Sequence, residues 1–386
     1  MRNLAKDELF ALLHGCAVLG TGGGGSPEAG VSLLEQAIAE GYSVRLAQLK
    51  ELPPDALTVC PYLCGSVGPD GIGEGVSLSE RRSVALEATL AVERYLGNRV
   101  EAIVPTELGG ENTAIALLVA ALRDVPVVDG DPAGRSVPEL EQTTYHVRKL
   151  PITPVGFATP AGDVLVLAQS ASDQSAEKMV RRIAADDRNM VGVADHPLPV
   201  KRLSGSLLTG TLSKALELGR IVCEGSSPEQ DTASEIARST DGYLLFHGLV
   251  KHSEWAIRDG FTIGHTRVDG LAEHDTHEYR IEFKNENIIG WYDEQPDVMA
   301  PDLISVLDAK SGRAVTNPNV IVGMHVAVLG WRADPIWRSP RGLAVLGPLH
   351  FGLDVEYRPI EENLRLASES ARCGQTGQAI PKGKER

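Results

Sequence analysis

Apolar residues recur at helical spacing near the start of the chain and are followed by a run of glycines. Residues 7–19 place four apolar side chains on one helical face, namely Leu9, Leu12, Leu13 and Cys16. The predicted helix ends at Gly20, where the glycine run begins. Ser26 and Pro27 then have the residue types of an N-cap and a first helical position, which predicts a second helix over 28–40.

Strand-like and helical segments alternate through the next hundred residues. Helical spacing predicts helices at 77–96 and 113–123. Short apolar segments predict strands at 43–47, 56–64, 100–104 and 125–128. This alternation is typical of an α/β domain with a mainly parallel sheet that is covered by helices.

After about residue 150 the pattern changes to short alternating runs. Paired strands are predicted over 156–169, and helices over 175–187 and 211–218. Further strands are predicted at 243–251, 261–268, 278–284, 303–307 and 325–329. We therefore predict an α/β domain over 1–168, a β-rich domain over 169–370 and a disordered polar tail over 371–386.

Charge and composition exclude several classes of protein. The 386 residues carry a formal net charge of −15, which disfavours a nucleic-acid partner because phosphate binding needs a clustered positive surface. No segment approaches the roughly 20 apolar residues that span a bilayer, so we expect no membrane partner. Charges interrupt the N-terminal segment where a secretory signal would be apolar, and five scattered cysteines do not suggest a disulfide framework. These features predict a cytoplasmic protein.

The first candidate binding element is a short run of residues, Thr21, Gly22, Gly23, Gly24 and Gly25. Glycine permits positive φ, so backbone N–H groups can point at an anion or a carbonyl, and the following helix adds the positive end of its dipole. The run matches neither the dinucleotide fingerprint nor the lysine-containing phosphate loop, so a nucleotide site is not supported. A flexible connector is the alternative, but a connector does not require four glycines, each of which costs conformational entropy.

Two acidic loops that follow predicted strands supply candidate catalytic groups. In open α/β sheets, sites form outside the carboxyl ends of strands, which is where both loops lie. Crowded carboxylates repel one another, so a raised pKa suited to general acid–base catalysis is expected. Solvated acidic turns neutralised by an arginine are the alternative. The candidates are Glu107, Gly110 and Asn112 in 106–112, and Asp129, Asp131, Arg135 and Glu139 in 129–139.

Cysteine and histidine residues give a weaker indication. Cys16 leads into the glycine run, and it is either a small core residue or a thiolate near the ligand. Metal binding by Cys16, His247 and His265 from distant segments is a further alternative, although no recognised zinc spacing is present. The absence of a Gly-x-Ser-x-Gly motif leaves a serine hydrolase unsupported.

Several segments together resemble the S-methyl thiohydantoin desulfurase family. They keep the order of the family from about residue 9 to 357, and their combination is specific although no single piece is. The sequence departs from the family pattern at Pro132, Ala133 and Ser136, where Gly, Met and Ala are expected. The matching segments are GCAVLGTGGGG at 15–25, ELGGEN at 107–112, PVVDGD at 126–131, GRS at 134–136, PEL at 138–140, NEN at 285–287, PDLI at 301–304, GP at 347–348 and FG at 351–352.

The resemblance implies an N-terminal α/β domain, a C-terminal β-rich domain and hydrolysis of a ring carbon that bears a thioether. The expected substrate is an S-methyl thiohydantoin, from sulfur-containing histidine derivatives, and the products are a hydantoin and methanethiol. Hydrolysis of another cyclic amide, such as a hydantoin or oxoproline, is the first alternative. A non-catalytic accessory subunit of a hydantoinase-type complex is the second. We also expect the chain to form a homo-oligomer.

This chemistry requires a nucleophile, a proton donor and groups that orient the ring. Asp129 or Asp131 is the predicted base, and Glu107 or Glu139 the predicted acid. The glycine N–H groups are expected to bind a carbonyl or carboxylate, while Asn112 and Arg135 orient the substrate. Cys16 is either a covalent nucleophile or a ligand of a zinc ion that activates water, so zinc is a candidate cofactor.

Overall fold

The computed structural model describes residues 1–68, 71–73, 75–224 and 232–366. Its helices are α1 (Lys6–Leu19), α2 (Pro27–Ala39), α3 (Leu78–Leu96), α4 (Gly110–Arg123), α5 (Thr144–Val147), α6 (Asp173–Asp186), α7 (Val200–Leu203), α8 (Thr211–Glu224), α9 (Thr232–Ser239) and α10 (Pro340–Leu346). Its strands in the first half of the chain are β1 (Arg2–Asn3), β2 (Arg45–Ala47), β3 (Leu57–Gly65), β4 (Val67–Gly68), β5 (Gly71–Ile72), β6 (Ala102–Ile103), β7 (Val127–Val128), β8 (Gly130–Asp131), β9 (Val155–Ala158) and β10 (Val164–Leu167).

The second half of the chain contains the remaining strands and one long antiparallel sheet. These strands are β11 (Met190–Pro199), β12 (Leu208–Thr209), β13 (Tyr243–Arg258), β14 (Phe261–Gly270), β15 (Glu278–Lys284), β16 (Glu286–Tyr292), β17 (Gln295–Met299), β18 (Leu303–Asp308) and β19 (His325–Trp331). Seven of them form a sheet in the order β17-β16-β15-β14-β13-β19-β18. All of its pairings are antiparallel, which confirms the prediction of a β-rich part.

The first sheet has the order β1-β2-β7-β6-β3-β11-β9-β10. Its central strands β2, β7, β6 and β3 run parallel, as the alternation of strands and helices predicts. The flanking pairs are antiparallel, so the sheet is mixed. The α/β class is confirmed. Strand β11 lies beyond residue 168 in sequence, yet it pairs with β3 and β9 inside this sheet.

Helix packing holds the N-terminal glycine run in place. Helices α1 and α8 approach so closely that a Cβ on Gly15 or on Gly219 would overlap the backbone of the other helix. Nearly all of α4 is buried, because its sequence of Ala, Leu, Ile and Val is apolar on every side. The run between α1 and α2 is therefore held next to two closely packed helices, α1 and α4.

Some sequence predictions need adjustment. Helix α4 begins at Gly110, three residues before the predicted start, so Glu111 and Asn112 lie in its first turn. The predicted tail at 371–386 lies outside the described residues. No helix in the described part of the chain combines the length and apolar character that a bilayer crossing requires.

Candidate active-site cavity

The glycine run forms a tight turn that joins three distant segments. The Gly24 carbonyl accepts hydrogen bonds from the backbone N–H groups of Glu111 and Asn112 at the start of α4. The Thr21 carbonyl accepts from the Asn287 N–H at 2.7 Å, and the Gly22 carbonyl from the Asn317 N–H at 2.8 Å. The turn thus contacts both the first acidic loop and the second sheet.

Glycine is required in this turn for two reasons. Gly24 has φ of +73°, in the region that favours glycine. A Cβ on Gly24 would also overlap the Cα of Gly109 in the acidic loop.

No described residue accepts a hydrogen bond from the Gly24 N–H, which lies on the turn beside a cavity. The expected binding role of Gly22 to Gly25 therefore remains a prediction, and its geometric basis is this turn.

Arg135 fastens the turn to the rest of the protein instead of facing a ligand. Its guanidinium group is fully buried and donates to the Thr21 hydroxyl at 2.9 Å and to the Pro301 carbonyl at 2.9 Å. It also donates to the carbonyls of Ser136, Asp302 and Asn287. Burial lowers its pKa to about 10, so it stays charged at neutral pH. Protein oxygens accept from all three nitrogens of the guanidinium group, and the role of Arg135 in orienting substrate stays a prediction.

A cavity of about 60 Å³ lies between the turn, the first acidic loop and the start of β16. This is several times the space that one water molecule needs. The wall combines backbone, carboxylate, phenol, amide and guanidinium groups. Its polar lining includes Gly24, Tyr62, Glu107, Asn112, Glu139, Arg181, Asp195, Asn285 and Glu286.

Glu107 and Glu286 are two buried carboxyl groups that face this cavity and interact. The Glu286 Oε1 atom accepts a hydrogen bond from the Ser136 hydroxyl at 3.0 Å. Its Oε2 atom is buried without a partner among the described residues. Burial and the Glu107 charge raise the pKa of Glu286 to about 8, and burial raises that of Glu107. The pair therefore retains a proton at neutral pH.

The raised pKa of Glu286 makes stability depend on pH with a definite sign. Between its unfolded pKa of 4.5 and its folded pKa of about 8, the folded protein binds a proton that the unfolded chain releases. The stability that Glu286 contributes is thus full below pH 4.5 and is lost as pH rises through 8. The free energy of unfolding in urea is measured for the wild type and for Glu286→Gln at each pH. We expect the advantage of the wild type over the variant to fall by on the order of a few kcal/mol from pH 5 to pH 8.

The exposed Glu87→Gln variant is the control for this measurement, and its difference from the wild type is expected to be flat over the same range. A Glu286→Gln difference that stays constant from pH 5 to 8 would contradict the assignment of a raised pKa.

Asn112 positions Glu107. Its Nδ2 group donates to Glu107 Oε1 at 2.8 Å, and its Oδ1 atom accepts from the Leu63 N–H at 3.0 Å. The backbone N–H of Val137 donates to Glu107 Oε2 at 2.9 Å. Both the nitrogen and the oxygen of the Asn112 side chain are therefore hydrogen-bonded to protein groups. In the structure this side chain orients the carboxylate of Glu107, whereas the sequence predicted that it orients the substrate.

The second acidic loop contributes less to the cavity than predicted. Asp129 accepts hydrogen bonds from the Ser213 N–H and hydroxyl, so it caps the start of α8. Asp131 accepts from the N–H groups of Ala133 and Gly134, and burial raises its pKa to about 7. Neither belongs to the cavity wall. Both carboxyl groups take part in the packing of the loop, but Asp131 Oδ1 is buried without a partner among the described residues, and the base role of Asp129 or Asp131 stays a prediction.

Glu139 reaches the cavity wall as a permanent anion. Its carboxylate forms an ion pair with Lys284 and accepts from His350 Nε2 at 2.7 Å. Although burial opposes it, these two partners lower its pKa to about 2. This environment favours the ionised carboxylate, and the role of Glu139 as the acid stays a prediction. Of the residues predicted in the first acidic loop, Glu107 lines the same cavity as Gly24, and Gly110 packs against Pro27 just after the glycine turn.

Cys16 lies in the apolar core. Its side chain is fully buried, and burial raises its thiol pKa to about 12, so no thiolate forms at neutral pH. This environment favours the alternative of a small core residue, and the nucleophile role of Cys16 stays a prediction.

The predicted zinc ligands do not assemble. His265 lies with His252 and Glu254 on the surface of β13 and β14, and among the described residues Cys16 and His247 join no group that could hold a metal ion. The set Cys16, His247 and His265 does not fit a zinc site. A second group, Glu139, Glu141 and His350, adjoins the cavity, but the Lys284 ammonium already occupies Glu139.

Sequence reasoning missed much of the cavity wall. Glu286 lies in the matching segment at 285–287, just beyond the strand predicted at 278–284, and no site role was predicted for it. Tyr62 and Asp195 were missed because β11 was not expected to pair with β3. The alternation in 56–64 would have placed Tyr62 on one face of the sheet, whereas only the fold brings Asp195 beside it.

The fold defines a two-part protein in which a mixed α/β sheet and an antiparallel sheet share an acidic cavity. Two family models match the chain, the S-Me-THD-like N-terminal domain over residues 7–169 and the S-Me-THD-like C-terminal domain over 171–360. The chain therefore belongs to the S-methyl thiohydantoin desulfurase-like family.

A solved structure supports the fold. The crystal structure of a protein from Chromobacterium violaceum is similar with a TM-score of 0.74 at 24% sequence identity. The match covers 93% of this chain and 100% of that one. The comparison with curated proteins gave no match.

Proposed function

We propose that this protein hydrolyses an S-methyl thiohydantoin to a hydantoin and methanethiol, with Glu107 and Glu286 as the acid–base pair. The observation that carries the proposal is the pair of buried, interacting carboxyl groups on one cavity. Membership of the S-Me-THD-like family supports the choice of substrate. Two carboxyl groups with different protonation states are a common solution for acid–base chemistry at neutral pH.

The hydrogen bonds of the pair assign the two roles. Glu107 accepts N–H bonds at both oxygens, and such bonds stabilise a carboxylate, so Glu107 is the base. Glu286 accepts from one hydroxyl only and has a pKa of about 8, so it holds the proton and is the acid. Donors and acceptors that are already oriented need little rearrangement during the reaction.

The proposed reaction proceeds in two steps. Glu107 removes a proton from water while the water oxygen bonds to the thioimidate carbon, and the π electrons of the C=N bond move to the ring nitrogen, which takes the proton of Glu286. The tetrahedral intermediate then collapses. The carbon–sulfur bond breaks as the carbonyl forms, and methanethiolate leaves and takes up the proton held by Glu107. The remaining Glu286 carboxylate regains a proton from the hydroxyl of the intermediate, which balances the reaction.

A thiol-release assay over a panel of S-alkyl thiohydantoins tests the proposal. Glu286→Gln is expected to lower the rate by at least about 100-fold, because general acid catalysis contributes factors of this size. Asp131→Asn is the matched control, since Asp131 is also a buried carboxyl with a raised pKa but lies outside the cavity wall. Its rate is expected to stay within about threefold of the wild type, because a change outside the wall leaves the catalytic groups in place.

Each rival function predicts a different result. A hydrolase of another cyclic amide would release no thiol but would open or hydrolyse a hydantoin or oxoproline ring. An accessory subunit would show no turnover alone, and Glu286→Gln would leave the activity of its partner enzyme unchanged. Thiol release that survives Glu286→Gln would overturn the role of the carboxyl pair.

A further inference from the structure

Strand β11 is interrupted beside the cavity. It pairs regularly with β3 up to Asp195, and the register then shifts between Asp195 and Leu198. His196 occupies the irregular position with φ of +46°, a conformation that a non-glycine residue adopts at a cost. Bulges and strained residues of this kind are frequent next to functional sites, where they redirect a side chain.

A buried chain of three polar groups lies at this point. It is formed by Asp195 and His196 of β11 and by Tyr62 of β3. The Tyr62 hydroxyl donates to Asp195 Oδ2 at 2.8 Å, and His196 Nδ1 lies 2.8 Å from Asp195 Oδ1. All three residues are at most 5% exposed. Of these groups, Tyr62 and Asp195 belong to the cavity wall, while His196 lies behind them with its ring 4.9 Å from that of Tyr145.

The chain fixes the direction of the Tyr62 hydrogen bond. Burial and the neighbouring Asp195 charge raise the pKa of Tyr62 well above its ordinary value, so it is a neutral phenol with one proton. That proton goes to Asp195, and because a carboxylate only accepts hydrogen bonds, its other oxygen assigns the Nδ1–H tautomer to His196. The phenol oxygen then offers only lone pairs to the cavity, and a ligand group that meets it must be a donor.

We infer that Tyr62, held by Asp195 and His196, is a specificity-determining acceptor for a ring N–H group of the ligand. The inference deepens the proposed function, on which its choice of ligand rests. A heterocycle with N–H at this position forms the hydrogen bond, whereas its N-methyl derivative leaves the phenol oxygen unpaired and adds a methyl group in a small cavity. A buried polar site rejects such an analogue strongly.

Calorimetric titration of the full chain with hydantoin, 1-methylhydantoin and 3-methylhydantoin tests the inference without depending on turnover. The wild type is expected to bind hydantoin at least about tenfold more tightly than one of the two methyl derivatives. In Tyr62→Phe that ratio is expected to fall below about threefold. Tyr145→Phe is the matched control, because it removes a buried phenol hydroxyl that has no partner among the described residues and lies outside the cavity wall. It should keep the wild-type ratio.

The ratio of two affinities is the readout because a merely structural defect would weaken both ligands alike. His196→Ala tests the positioning role, and it is expected to reduce the ratio while hydantoin still binds. A wild type without preference, a wild type that binds none of these rings, or a preference that Tyr62→Phe leaves intact would overturn the inference. Selective binding that Tyr62→Phe abolishes, in a protein that releases no thiol, would support it and refute the proposed reaction instead.

Discussion

Replacing Gly23 with alanine is expected to lower thiol release about a thousandfold, in the middle of the range for lost acid–base catalysis. A Cβ at this position would overlap the carboxylate of Glu286, which is only 2% exposed. Gly23 does not have positive φ, so the effect is steric and not a backbone strain. The methyl group would push the carboxyl group out of position and remove the proposed acid. A steady-state thiol-release assay measures the effect.

The same variant is expected to remain folded, because a side-chain carboxyl group moves more easily than backbone. We expect a loss of about 1 to 3 kcal/mol in urea unfolding, which is typical of an overpacked site. Gly41→Ala is the control for turnover and not for stability: its added methyl group meets no atom within 4 Å, although φ of +92° strains the backbone, and it should keep full activity. Normal turnover in Gly23→Ala would show that Glu286 does not act from its place against the turn.

Replacing Arg135 with methionine is expected to lower the free energy of unfolding by about 3 to 5 kcal/mol, the usual cost of removing one member of a buried charged network. The methionine cannot donate to the Thr21 hydroxyl or to the Pro301 and Asp302 carbonyls, which would lose a buried donor. Urea unfolding followed by fluorescence of the four tryptophans would report this loss.

The exposed Arg332→Met variant is the control for charge, because its guanidinium stacks on Tyr243 at the surface. It should cost less than about 1 kcal/mol, as surface interactions of charged groups generally do. If Arg135→Met lowered the free energy of unfolding as little as Arg332→Met, the glycine turn would not depend on the hydrogen bonds of Arg135. A ligand-binding role of Arg135 would then be favoured.

Local sequence patterns predicted most of the fold because they depend on neighbouring residues. Helix α1, the cap at Ser26 and five of the seven strands of the second sheet follow from spacing and residue type, whereas β16 and β17 were not predicted. The position of β11 could not be predicted in this way. Its pairing with β3 depends on contacts between residues more than 100 positions apart, and single-sequence periodicity carries no information on such pairs.

The candidate site was predicted in outline, but roles within it were not. The turn at Gly24 lies against the end of the loop of Glu107, because its carbonyl accepts from the N–H groups of Glu111 and Asn112. Arg135 and Asp129 look like ligand-binding groups in sequence, since a buried structural charge and a catalytic charge use the same residue types. Only the hydrogen-bond partners distinguish them, and those partners lie at residues 301 and 213.

The cavity wall draws on both halves of the chain. Tyr62 and Glu107 come from the segment of the first family model, whereas Asp195 and Glu286 come from that of the second. Each half therefore contributes one carboxyl group of the pair, and a polypeptide ending near residue 170 would have the base without the acid. Two genes encoding the halves separately would need to be translated together and their products would need to meet, whereas one continuous reading frame guarantees equal amounts of both.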